Sequence, residues 1–294
     1  MDIISRIVKG KKYYYLEHSH RYNNKVQVES SYLGSKIPEN IEEIKAKFIE
    51  KINQKVWFDD LNKIKKYFDK DFKSFPKAAK KKYIENFLIK FTYNTQRIEG
   101  STLTLKETAK LLEEGISPRN KPFKDVKETE AHKVVFEEML KEKKDLSLKL
   151  VLNWHKKLFE TVDLEIAGNI RNHPVAIAGS KFEPPQANEL SYLLRKFFQW
   201  YNDFKDKKHP VELAALVHLK FVTIHPFTDG NGRMSRLLMN FLLNKNGFPM
   251  LNIEYSNRTS YYNALERSQT KEKNRIFVQY LIKRYLKEYR KYIE

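Results

Sequence analysis

The N-terminal part of the chain alternates apolar and polar residues with the period of two that is typical of β-strands. Two such stretches, Lys12–Glu17 and Lys25–Glu29, flank Tyr22-Asn23-Asn24, and asparagine tolerates the positive φ that a tight turn requires. The pattern predicts a β-hairpin within residues 1–36. A lone hairpin is marginally stable in water, so we expect it to dock on another part of the protein.

From Pro38 onward, apolar residues recur every three or four positions, which is the period of amphipathic helices. Three helices are predicted from apolar stripes that comprise Ile41, Ile44, Phe48 and Ile52, then Leu61, Ile64 and Phe68, then Ile84, Leu88 and Phe91. A lysine-rich run, 77–82, precedes the third stripe. It fits either a solvated helix face or a patch that binds nucleic acid.

The helical pattern continues through the rest of the chain with one interruption. A capping box at Thr104–Glu107 begins the next helix, and Gly115 ends it. Further helices are predicted near Val126–Lys141, Ser147–Glu160, Ala187–Phe204, Pro210–Ile224, Gly230–Asn246, Ser260–Ser268 and Asn274–Ile293. Residues 167–185 break this pattern with glycines and prolines around a β-like Val175-Ala176-Ile177, which indicates a hairpin or flap. The predicted fold class is mainly α with small β additions.

Composition narrows the class of protein. The chain has 294 residues, no cysteine and 41% hydrophobic residues, with 19 Phe and 17 Tyr as core material. It is long enough for one large or two smaller domains, and disulfides, thiolate nucleophiles and zinc fingers are excluded. No apolar stretch approaches the about 20 residues of a membrane span, and no signal peptide is recognisable. We therefore expect a cytoplasmic protein with no membrane partner.

The net charge is the most unusual feature of the composition. Lys and Arg number 56 against 37 Asp and Glu, which gives +19. Such a charge is typical of proteins that bind nucleic acid. Most of the lysines, however, have the spacing of helix surfaces. We interpret the charge as a property of the solvated surface and do not expect a nucleic-acid partner.

One stretch of twelve residues combines groups suited to phosphate chemistry. It reads His225-Pro226-Phe227-Thr228-Asp229-Gly230-Asn231-Gly232-Arg233-Met234-Ser235-Arg236. Gly230-Asn231-Gly232 opens a helix, where small residues let backbone N–H groups approach an anion that the helix dipole favours. Arg233 and Arg236 are three residues apart and share a helix face, so their guanidiniums suit a polyphosphate.

Two further side chains in this stretch add catalytic capacity. Asp229 directly precedes the anion site and is placed to hold a Mg²⁺ that bridges phosphate oxygens. His225, with an ordinary pKa of about 6.5, suits the removal of a proton from a hydroxyl nucleophile. The set predicts phosphoryl or nucleotidyl transfer. The alternative is that His225 only ends a helix and the glycines only turn the chain.

The stretch resembles the signature of the Fic family, His-Pro-Phe-x-Asp/Glu-Gly-Asn-Gly-Arg-x-x-Arg, at every fixed position. The similarity extends over roughly residues 95–285. It implies a Fic-type helical bundle core with a β-hairpin flap, preceded by helices and the small N-terminal β-hairpin. It also implies transfer of AMP from ATP to a Ser, Thr or Tyr hydroxyl of a target protein or of the protein itself, with Mg²⁺ or Mn²⁺ as the metal.

The resemblance implies a role for each residue of the signature. His225 would be the general base, Phe227 would anchor the loop in the core, and Asp229 would bind the metal. The phosphate-binding roles fall on the start of the helix, with Gly230, Asn231 and Gly232 on the α- and β-phosphates, Arg233 on the β-phosphate and Arg236 on the γ-phosphate. Relatives that transfer phosphate itself carry lysine in place of Gly232, so the glycine favours AMP transfer.

Two other segments resemble parts of Fic proteins. Gly168-Asn169-Ile170-Arg171, followed by Val175, Ala176 and Ile177, resembles the flap, which would align the target's main chain by strand addition. The alternative is a plain surface hairpin. Tyr261-Tyr262-Asn263-Ala264-Leu265 resembles the helix on the adenine side of ATP, against the alternative of a plain amphipathic helix. Gln269 stands where many relatives have asparagine and is assigned to the same ATP site.

A regulatory element is implied upstream of the signature. Thr95-Gln96-Arg97-Ile98-Glu99-Gly100 matches the Ser/Thr-x-x-x-Glu-Gly/Asn pattern of the Fic inhibitory helix, and Thr95 and Glu99 share a helix face. Glu99 would pair with Arg236 and deny it to the γ-phosphate. The alternative is a plain glutamate at a helix end. Three regions follow: a β-hairpin segment over 1–36, a helical region with the inhibitory helix over 37–104, and the catalytic core over 105–294.

Several alternatives remain open from the sequence. A de-AMPylase of the same fold would use Glu99 to position water; a basic nucleic-acid-binding regulator and an inactive ATP-responsive interaction module are further candidates. A homodimer that releases Glu99 is conceivable. His155 and His218 are expected to be hydrogen-bonded core histidines. His18 and His20, two residues apart, fit a solvated strand better than a metal pair, and His173 could touch a substrate from the flap.

Overall fold

The N-terminal strands form an antiparallel meander in this computed structural model, which describes residues 1–22 and 25–294. The strands are β1 Asp2–Val8, β2 Lys11–Tyr22 and β3 Lys25–Gly34, in the order β1-β2-β3. Leu16 at the centre of β2 is fully buried and faces Ile3 on one side and Ser31 on the other. The predicted hairpin is confirmed as β2 and β3, while its turn residues Asn23 and Asn24 lie outside the described residues.

Strand β1 is missing from the sequence prediction. Its sequence places Ile3 beside Ile4 and Ile7 beside Val8, so strict alternation is lost and the pattern is weak. It pairs with β2 through a two-residue turn, Lys9-Gly10, in which both residues have a positive φ, 50° and 75°. This is the sign pattern of a type I′ turn, which matches the twist of antiparallel strands. The predicted hairpin is therefore part of a three-stranded sheet.

The helices occupy the remainder of the chain. Their bounds are α1 Ile41–Asn53, α2 Asp59–Ser74, α3 Lys77–Ile98, α4 Leu105–Glu114, α5 Phe123–Lys141, α6 Leu148–Phe159, α7 Leu190–Phe204, α8 Pro210–Ile224, α9 Asn231–Lys245, α10 Arg258–Thr270 and α11 Asn274–Glu288. A short π-helical stretch, Gln54–Phe58, links α1 to α2. The mainly α fold class is confirmed. The chain divides into two compact units, Met1–Lys63 and Ile64–Glu294, with the division inside α2.

Helices α8 and α9 form the centre of the second unit. Both are almost wholly buried, and α8 packs against α9, α7 and α11. Alternation of leucine, valine and alanine with few polar residues leaves α8 no solvated stripe, which is typical of a helix surrounded by others. Only residues 225–230 separate these two helices. The signature stretch is therefore a short loop held between two core helices.

Local signals at the helix ends agree with the structure. The Thr104 hydroxyl accepts from the Glu107 N–H and the Glu107 carboxylate accepts from the Thr104 N–H, which is the predicted capping box. Gly115 ends α4 in the left-handed conformation, with φ 71°. Helix α3 ends at Ile98, and Glu99 is its C-terminal cap residue. No helix in the ranges 1–22 and 25–294 is long and apolar enough to span a membrane.

The segment 167–185, which we call the flap loop, differs from the predicted hairpin. Its chain reverses at Ile177–Ser180, where the Ser180 N–H donates to the Ile177 carbonyl at 3.1 Å and Gly179 has φ 74°. Among the described residues, however, no strand pairs flank the turn, so the β-like Val175-Ala176-Ile177 forms no strand. Pro174, Pro184 and Pro185 offer no N–H to a ladder, which explains the difference.

Candidate active site

The loop between α8 and α9 is fixed by unusual backbone conformations and by one amide side chain. His225 ends α8 in the left-handed region with φ 51°, and Gly230 precedes α9 with φ 83°. The Asn231 side chain accepts from the Phe227 N–H at 2.9 Å and donates to the Phe227 carbonyl at 2.8 Å. Asn231 is buried, so its side chain orders the loop, and only its backbone is free to face a ligand.

A glycine is required at position 230 for two reasons. Its φ lies in the region that L side chains rarely adopt, and a Cβ there would lie 2.5 Å from the Phe159 ring and 3.3 Å from the His155 imidazole. The loop therefore passes directly over α6. Phe227, which is 1% exposed, stacks on His155 at 3.6 Å between ring centroids. The predicted anchoring of Phe227 in the core matches this position.

His225 is oriented as a proton acceptor. Its Nδ1 lies 3.1 Å from the Val222 carbonyl, and because a carbonyl only accepts, Nδ1 carries the proton. The neutral imidazole then presents Nε2 as a free acceptor. Burial is the main cause that lowers the pKa of His225, and the positive charge of Arg171 lowers it further. The hydrogen bond to the Val222 carbonyl and the negative charges of Glu99 and Asp229 act in the opposite direction. The ring is therefore neutral at pH 7.

Arg171 of the flap loop is buried against the same loop. Its Nε donates to the His225 carbonyl at 2.8 Å, and its own N–H donates to the Pro226 carbonyl at 3.0 Å. The two terminal nitrogens donate to the carbonyls of His173, at 2.8 Å, and Pro185, at 2.6 Å. One side chain thus joins both ends of the flap loop to the signature loop.

His155 on α6 forms a second connection between these loops. Its Nδ1 accepts from the Gly168 N–H at 3.0 Å, so its Nε2 carries the proton and donates to the Asp229 carbonyl at 3.0 Å. Burial lowers its pKa to about 4, and the ring is neutral at pH 7. His218 is likewise fully buried and hydrogen-bonded, to Tyr261. Both histidines occupy the core, as the sequence analysis expected.

Arg233 lies beneath the loop between two carboxylates. One terminal nitrogen contacts Glu128 on α5 at 2.9 Å, and the other contacts Asp229 at 2.9 Å. Its guanidinium also stacks on Phe159, and the residue is 2% exposed. Burial opposes ionisation of Asp229, but Arg233 outweighs it, so the pKa of Asp229 lies below its ordinary value. Asp229 is therefore an anion at pH 7.

Arg236, 1% exposed, is held by the end of α3. Its Nε donates to the Thr95 hydroxyl at 2.5 Å and one terminal nitrogen donates to the Thr95 carbonyl at 3.2 Å. The same terminal nitrogen pairs with Glu99 Oε1 at 2.6 Å, and the other donates to the Tyr261 hydroxyl at 3.3 Å. The pairing of Glu99 with Arg236, which the Fic resemblance implied, is present in this structure.

The Glu99 carboxylate also lies against the start of α9. A Cβ at Gly232 would overlap Glu99 Oε1 and would lie 3.1 Å from an Arg236 nitrogen. Gly232 is the second residue of α9, where backbone N–H groups are not yet paired within the helix and favour an anion. Glu99 thus supplies the negative charge that this helix start favours.

A cavity of about 470 Å³ opens beside these groups, a size typical of small-molecule sites. Apart from Tyr261, seven of the predicted site residues line it: Glu99, Ile177, His225, Gly232, Arg236, Tyr262 and Gln269. Tyr261 also lines it but is 1% exposed and supports Arg236, whereas Tyr262 is 43% exposed. The other predicted residues do not line this cavity among the described residues: Thr95, Val175, Ala176, Asp229, Gly230, Asn231 and Arg233.

The flap loop borders the cavity through its turn. Ile177, Ala178, Gly179 and Ser180 all face it. Next to the turn, the Lys181 N–H donates to a carboxylate oxygen of Glu266 on α10 at 2.9 Å. Val175 is half-buried and Ala176 is exposed, so the chain N-terminal to the turn is accessible from outside.

The donor set fits a metal that arrives with phosphates better than a metal held by the protein alone. In the described ranges 1–22 and 25–294, no group of three or more His, Cys, Asp or Glu side chains could hold an ion. Asp229 is a hard oxygen ligand with a 42% exposed side chain. Mg²⁺ commonly binds one or two carboxylates, with phosphate oxygens and water as its other ligands. Asp229 meets this pattern.

Three contributors to the site have no role in the sequence analysis. Arg171 was predicted only as part of the flap motif, because the backbone carbonyls that it binds carry no signal in the sequence. Glu128 falls on the buried face of α5 beside Val126 and Thr129, where an acid signals a basic partner. Glu266 lies on an exposed face with no such signal.

Comparison with known proteins places this site in a family. A profile of the Fic/DOC family matches residues 145–243, which include α6, the flap loop, α7 and α8. A Fic domain containing signaling protein from Bacteroides thetaiotaomicron is 30% identical with a TM-score of 0.71, over 79% of this chain and 95% of that one. This chain belongs to the Fic family. The resemblance found in the signature is therefore confirmed, together with the Fic fold.

Other Fic proteins match over different shares of their length. Fic-1 (residues 134–508) from C. elegans is 27% identical with a TM-score of 0.71, over 86% of this chain and 76% of that one. Protein adenylyltransferase Fic from Drosophila ananassae and from Drosophila melanogaster is 34% identical over 194 residues, which is 65% of this chain. The chain spans 38% of the length of these curated Fic relatives.

Proposed function

We propose that this protein is an autoinhibited protein adenylyltransferase, which transfers AMP from ATP to a hydroxyl side chain of a target protein or of itself. The observation that carries the proposal is the pair of groups on the cavity: a neutral, acceptor-oriented His225, and an Arg236 occupied by Glu99. The name of the Drosophila relatives, protein adenylyltransferase, supports the same reaction.

In the proposed reaction, the hydroxyl oxygen of the target attacks the α-phosphorus of ATP. The bond from that phosphorus to the oxygen bridging to the β-phosphate breaks, and pyrophosphate leaves. His225 Nε2 accepts the hydroxyl proton and later returns it to solvent. Burial of the imidazole supports this role because it keeps the ring neutral before the proton arrives.

The phosphates of ATP are assigned to the start of α9. The backbone N–H groups of Gly230, Asn231 and Gly232 lie at the positive end of the helix dipole and would bind the α- and β-phosphates. Arg233 would contact the β-phosphate, and Glu128 supports its orientation through the ion pair at 2.9 Å. Arg236, once free of Glu99, would contact the γ-phosphate.

A divalent ion belongs to the proposed substrate complex. Asp229 would hold Mg²⁺ or Mn²⁺ together with phosphate oxygens, in exchange for its contact with Arg233. When bound, the ion supplies positive charge that neutralises the phosphates and the leaving pyrophosphate. Glu128 would retain Arg233 during this exchange, since it contacts the other terminal nitrogen.

The adenine would lie on the α10 side of the cavity. Tyr262 offers an exposed ring face there, and Gln269 donates its amide to the Thr223 hydroxyl at 3.2 Å. Tyr261 contributes through Arg236 rather than by direct contact, because its ring is buried and its hydroxyl joins Arg236 to His218. Stacking on an aromatic face and an amide hydrogen bond suit a purine base.

The target's main chain would align along the flap loop. The stretch Val175–Ile177 has no ladder partner among the described residues, so its backbone groups can pair with an incoming extended segment. The turn that follows faces the cavity, which would bring a hydroxyl side chain of the target towards His225. In this arrangement, side-chain specificity comes from exposed positions such as Ala176.

Autoinhibition follows from competition between two anions for one guanidinium. Glu99 occupies Arg236, which the γ-phosphate would use, and it lies against Gly232 at the start of α9, which the α- and β-phosphates would use. The Glu99 side chain remains 27% exposed on the cavity, so it can leave without unfolding α3. While Glu99 stays on Arg236, ATP would bind with its triphosphate displaced from the position needed for in-line attack.

Intact-mass spectrometry of the Glu99→Gly protein after incubation with ATP and Mg²⁺ tests this proposal. The mass is expected to rise by one or more AMP units, while the wild-type protein stays at its own mass. The matched control, Glu99→Gly combined with His225→Ala, is expected to remain unmodified. Equal modification of all three proteins, or of none, would contradict the proposal.

De-AMPylation by the same fold is a second candidate, supported by one observation. The Glu99 carboxylate lines the same cavity as His225, so it could position a water molecule for attack on an AMP ester. Wild-type protein incubated with an AMP-modified copy of its Glu99→Gly variant distinguishes the two functions. Release of AMP by the wild type, absent in Glu99→Gly, would favour this second function.

A further inference from the structure

We propose that Arg171 is a positioning residue that ties the flap loop to the general base, so that one side chain sets both target docking and the placement of His225. This inference deepens the proposed function and rests on it. Arg171 is not among the residues that line the cavity, so its effect must pass through the groups that it binds, of which His225 does line the cavity.

The contacts of Arg171 span three backbone positions that are separate in the chain. His173 marks the start of the flap's free stretch and Pro185 its end, and both carbonyls accept from the terminal nitrogens. The Nε donates to the carbonyl of His225 itself. A guanidinium offers these donors in a fixed planar fork, which a single ammonium cannot reproduce. The ends of the flap and the base therefore keep one relative geometry.

The environment of Arg171 is unusual for a buried cation. The residue is 3% exposed, and among residues 1–22 and 25–294 it forms no ion pair with an acid. Burying a charge without a counter-charge is costly, and here backbone carbonyls alone compensate it. An arginine that served only to fill space would be replaced at lower cost by an apolar residue. The carbonyl cluster indicates that the connection itself is needed.

His225 depends on this contact for its backbone conformation. Its φ of 51° is a sparsely populated region for a residue with a Cβ, and such a conformation persists where surrounding contacts fix it. Arg171 fixes the His225 carbonyl from one side, and the Phe221 carbonyl accepts its N–H from the other. Charged groups facing the imidazole are Arg171 from the flap loop, Glu99 from the end of α3 and Asp229 from the signature loop.

Two substitutions of Arg171 in the Glu99→Gly background separate the effect of its hydrogen bonds to the carbonyls from the effect of its positive charge. Arg171→Lys keeps the charge but loses the planar fork, whereas Arg171→Gln loses both. With a Glu99→Gly/His225→Ala copy as the acceptor protein, Arg171→Lys is expected to raise the KM for acceptor and lower kcat, with kcat/KM about a hundredfold lower. The dissociation constant for ATP is expected to change less than about twofold, because α9 is untouched. Arg195→Lys, on the exposed side of α7, is the matched control and should match the parent.

Two readouts do not depend on activity. Hydrogen exchange of amides in residues 175–183 is expected to quicken about tenfold in Arg171→Lys but not in Arg195→Lys. In an NMR titration, the His225 midpoint should rise in Arg171→Gln and stay near the parent value in Arg171→Lys. If the Glu99→Gly parent transfers no AMP, the proposed function is wrong. Hydrogen exchange and the NMR titration of His225 would then still test whether Arg171 connects the flap loop to His225. Unchanged flap exchange and an unchanged acceptor KM in folded Arg171→Lys would overturn it.

Discussion

The two sides of the cavity hold a buried guanidinium in different ways. On the flap side, Arg171 is held by the backbone carbonyls of His173, Pro185 and His225. On the inhibitory side, Arg236 is held by the side-chain carboxylate of Glu99 as well as by Thr95. A carbonyl leaves only if its loop unfolds, whereas a carboxylate can rotate away and be replaced by another anion. The contacts of Arg171 on the flap side therefore suit a permanent connection, whereas the contact of Arg236 with Glu99 suits exchange with a phosphate.

Substitution of His225, the proposed general base, is expected to have the largest effect of all, on the rate of AMP transfer. In the Glu99→Gly background, His225→Ala should lower the rate of AMP transfer about a thousandfold, because a positioned general base contributes this order of rate. Labelled AMP incorporated per minute is the measurement. Substitution of the core histidine His218 is not a clean control, since it contacts Tyr261. His20→Ala, on strand β2 of the first compact unit, is the matched control, and an equal loss there would undermine the comparison.

Gly232 allows the contact between Glu99 and α9 to be tested by protein stability, without any measurement of activity. A Cβ at this position overlaps Glu99, so Gly232→Ala should lower the free energy of unfolding of the wild type by about 1–2 kcal/mol. In Glu99→Gly the overlapping carboxylate is gone, and the same substitution should cost about 1 kcal/mol less. Denaturant unfolding of the four proteins in this cycle gives the coupling.

Gly115→Ala provides the control for that cycle. Gly115 also requires a positive φ, but a Cβ there has nothing within 4 Å. Its cost should therefore be the same with and without Glu99. A zero coupling for Gly232, equal to that of Gly115, would show that Glu99 does not rest on α9 in solution.

The pH dependence sharpens the role of the flap side. Burial, with help from Arg171, holds the pKa of His225 below its ordinary value of 6.5. Because only the neutral ring accepts a proton, transfer by Glu99→Gly should be full at pH 7 and fall as pH drops through the lowered pKa. The rate between pH 4.5 and 8 is the measurement. A half-maximal rate at or above pH 6.5 would contradict this description of the imidazole.

The smallest effect is expected far from both sides. Thr104→Ala removes the capping box of α4 and should lower the free energy of unfolding by about 1 kcal/mol. Transfer of AMP by Glu99→Gly should be unchanged, because the hydrogen bonds and ion pairs that Thr104 and Glu107 form in the described part of the chain involve no residue that lines the cavity. Thermal unfolding and the labelled assay together provide the test, and a large loss of activity would reveal a path from α4 to the cavity.

Contiguous motifs allowed most of the fold and much of the site to be predicted. His225, Asp229 and Arg236 lie within one loop and the first two turns of α9, so local geometry brings them together. Apolar periodicity predicted the helices because it, too, depends only on residues that are close together in the chain. Strand β1 escaped because paired isoleucines mask its alternation, and the flap formed no ladder because prolines interrupt its donors.

Contacts between residues that are far apart in the chain could not be predicted from periodicity. Glu128 and Arg233 are more than a hundred residues apart, and only the packing of α5 on α9 makes them partners. The backbone clamp of Arg171 depends on carbonyls, which every residue carries and no sequence marks. Glu99 and Arg236 are 137 residues apart, and their pairing was predicted solely because a related pattern of residues is known in the Fic family.

Transfer from ATP labelled on different phosphates tests directly whether this protein is an adenylyltransferase that Glu99 inhibits. Wild type, Glu99→Gly and Glu99→Gly/His225→Ala would each be incubated with Mg²⁺ and either α-labelled or γ-labelled ATP. We expect protein-bound label from α-labelled ATP in Glu99→Gly alone, and none from γ-labelled ATP in any of the three. Label from the γ-phosphate, or no more label in Glu99→Gly than in the wild type, would contradict it.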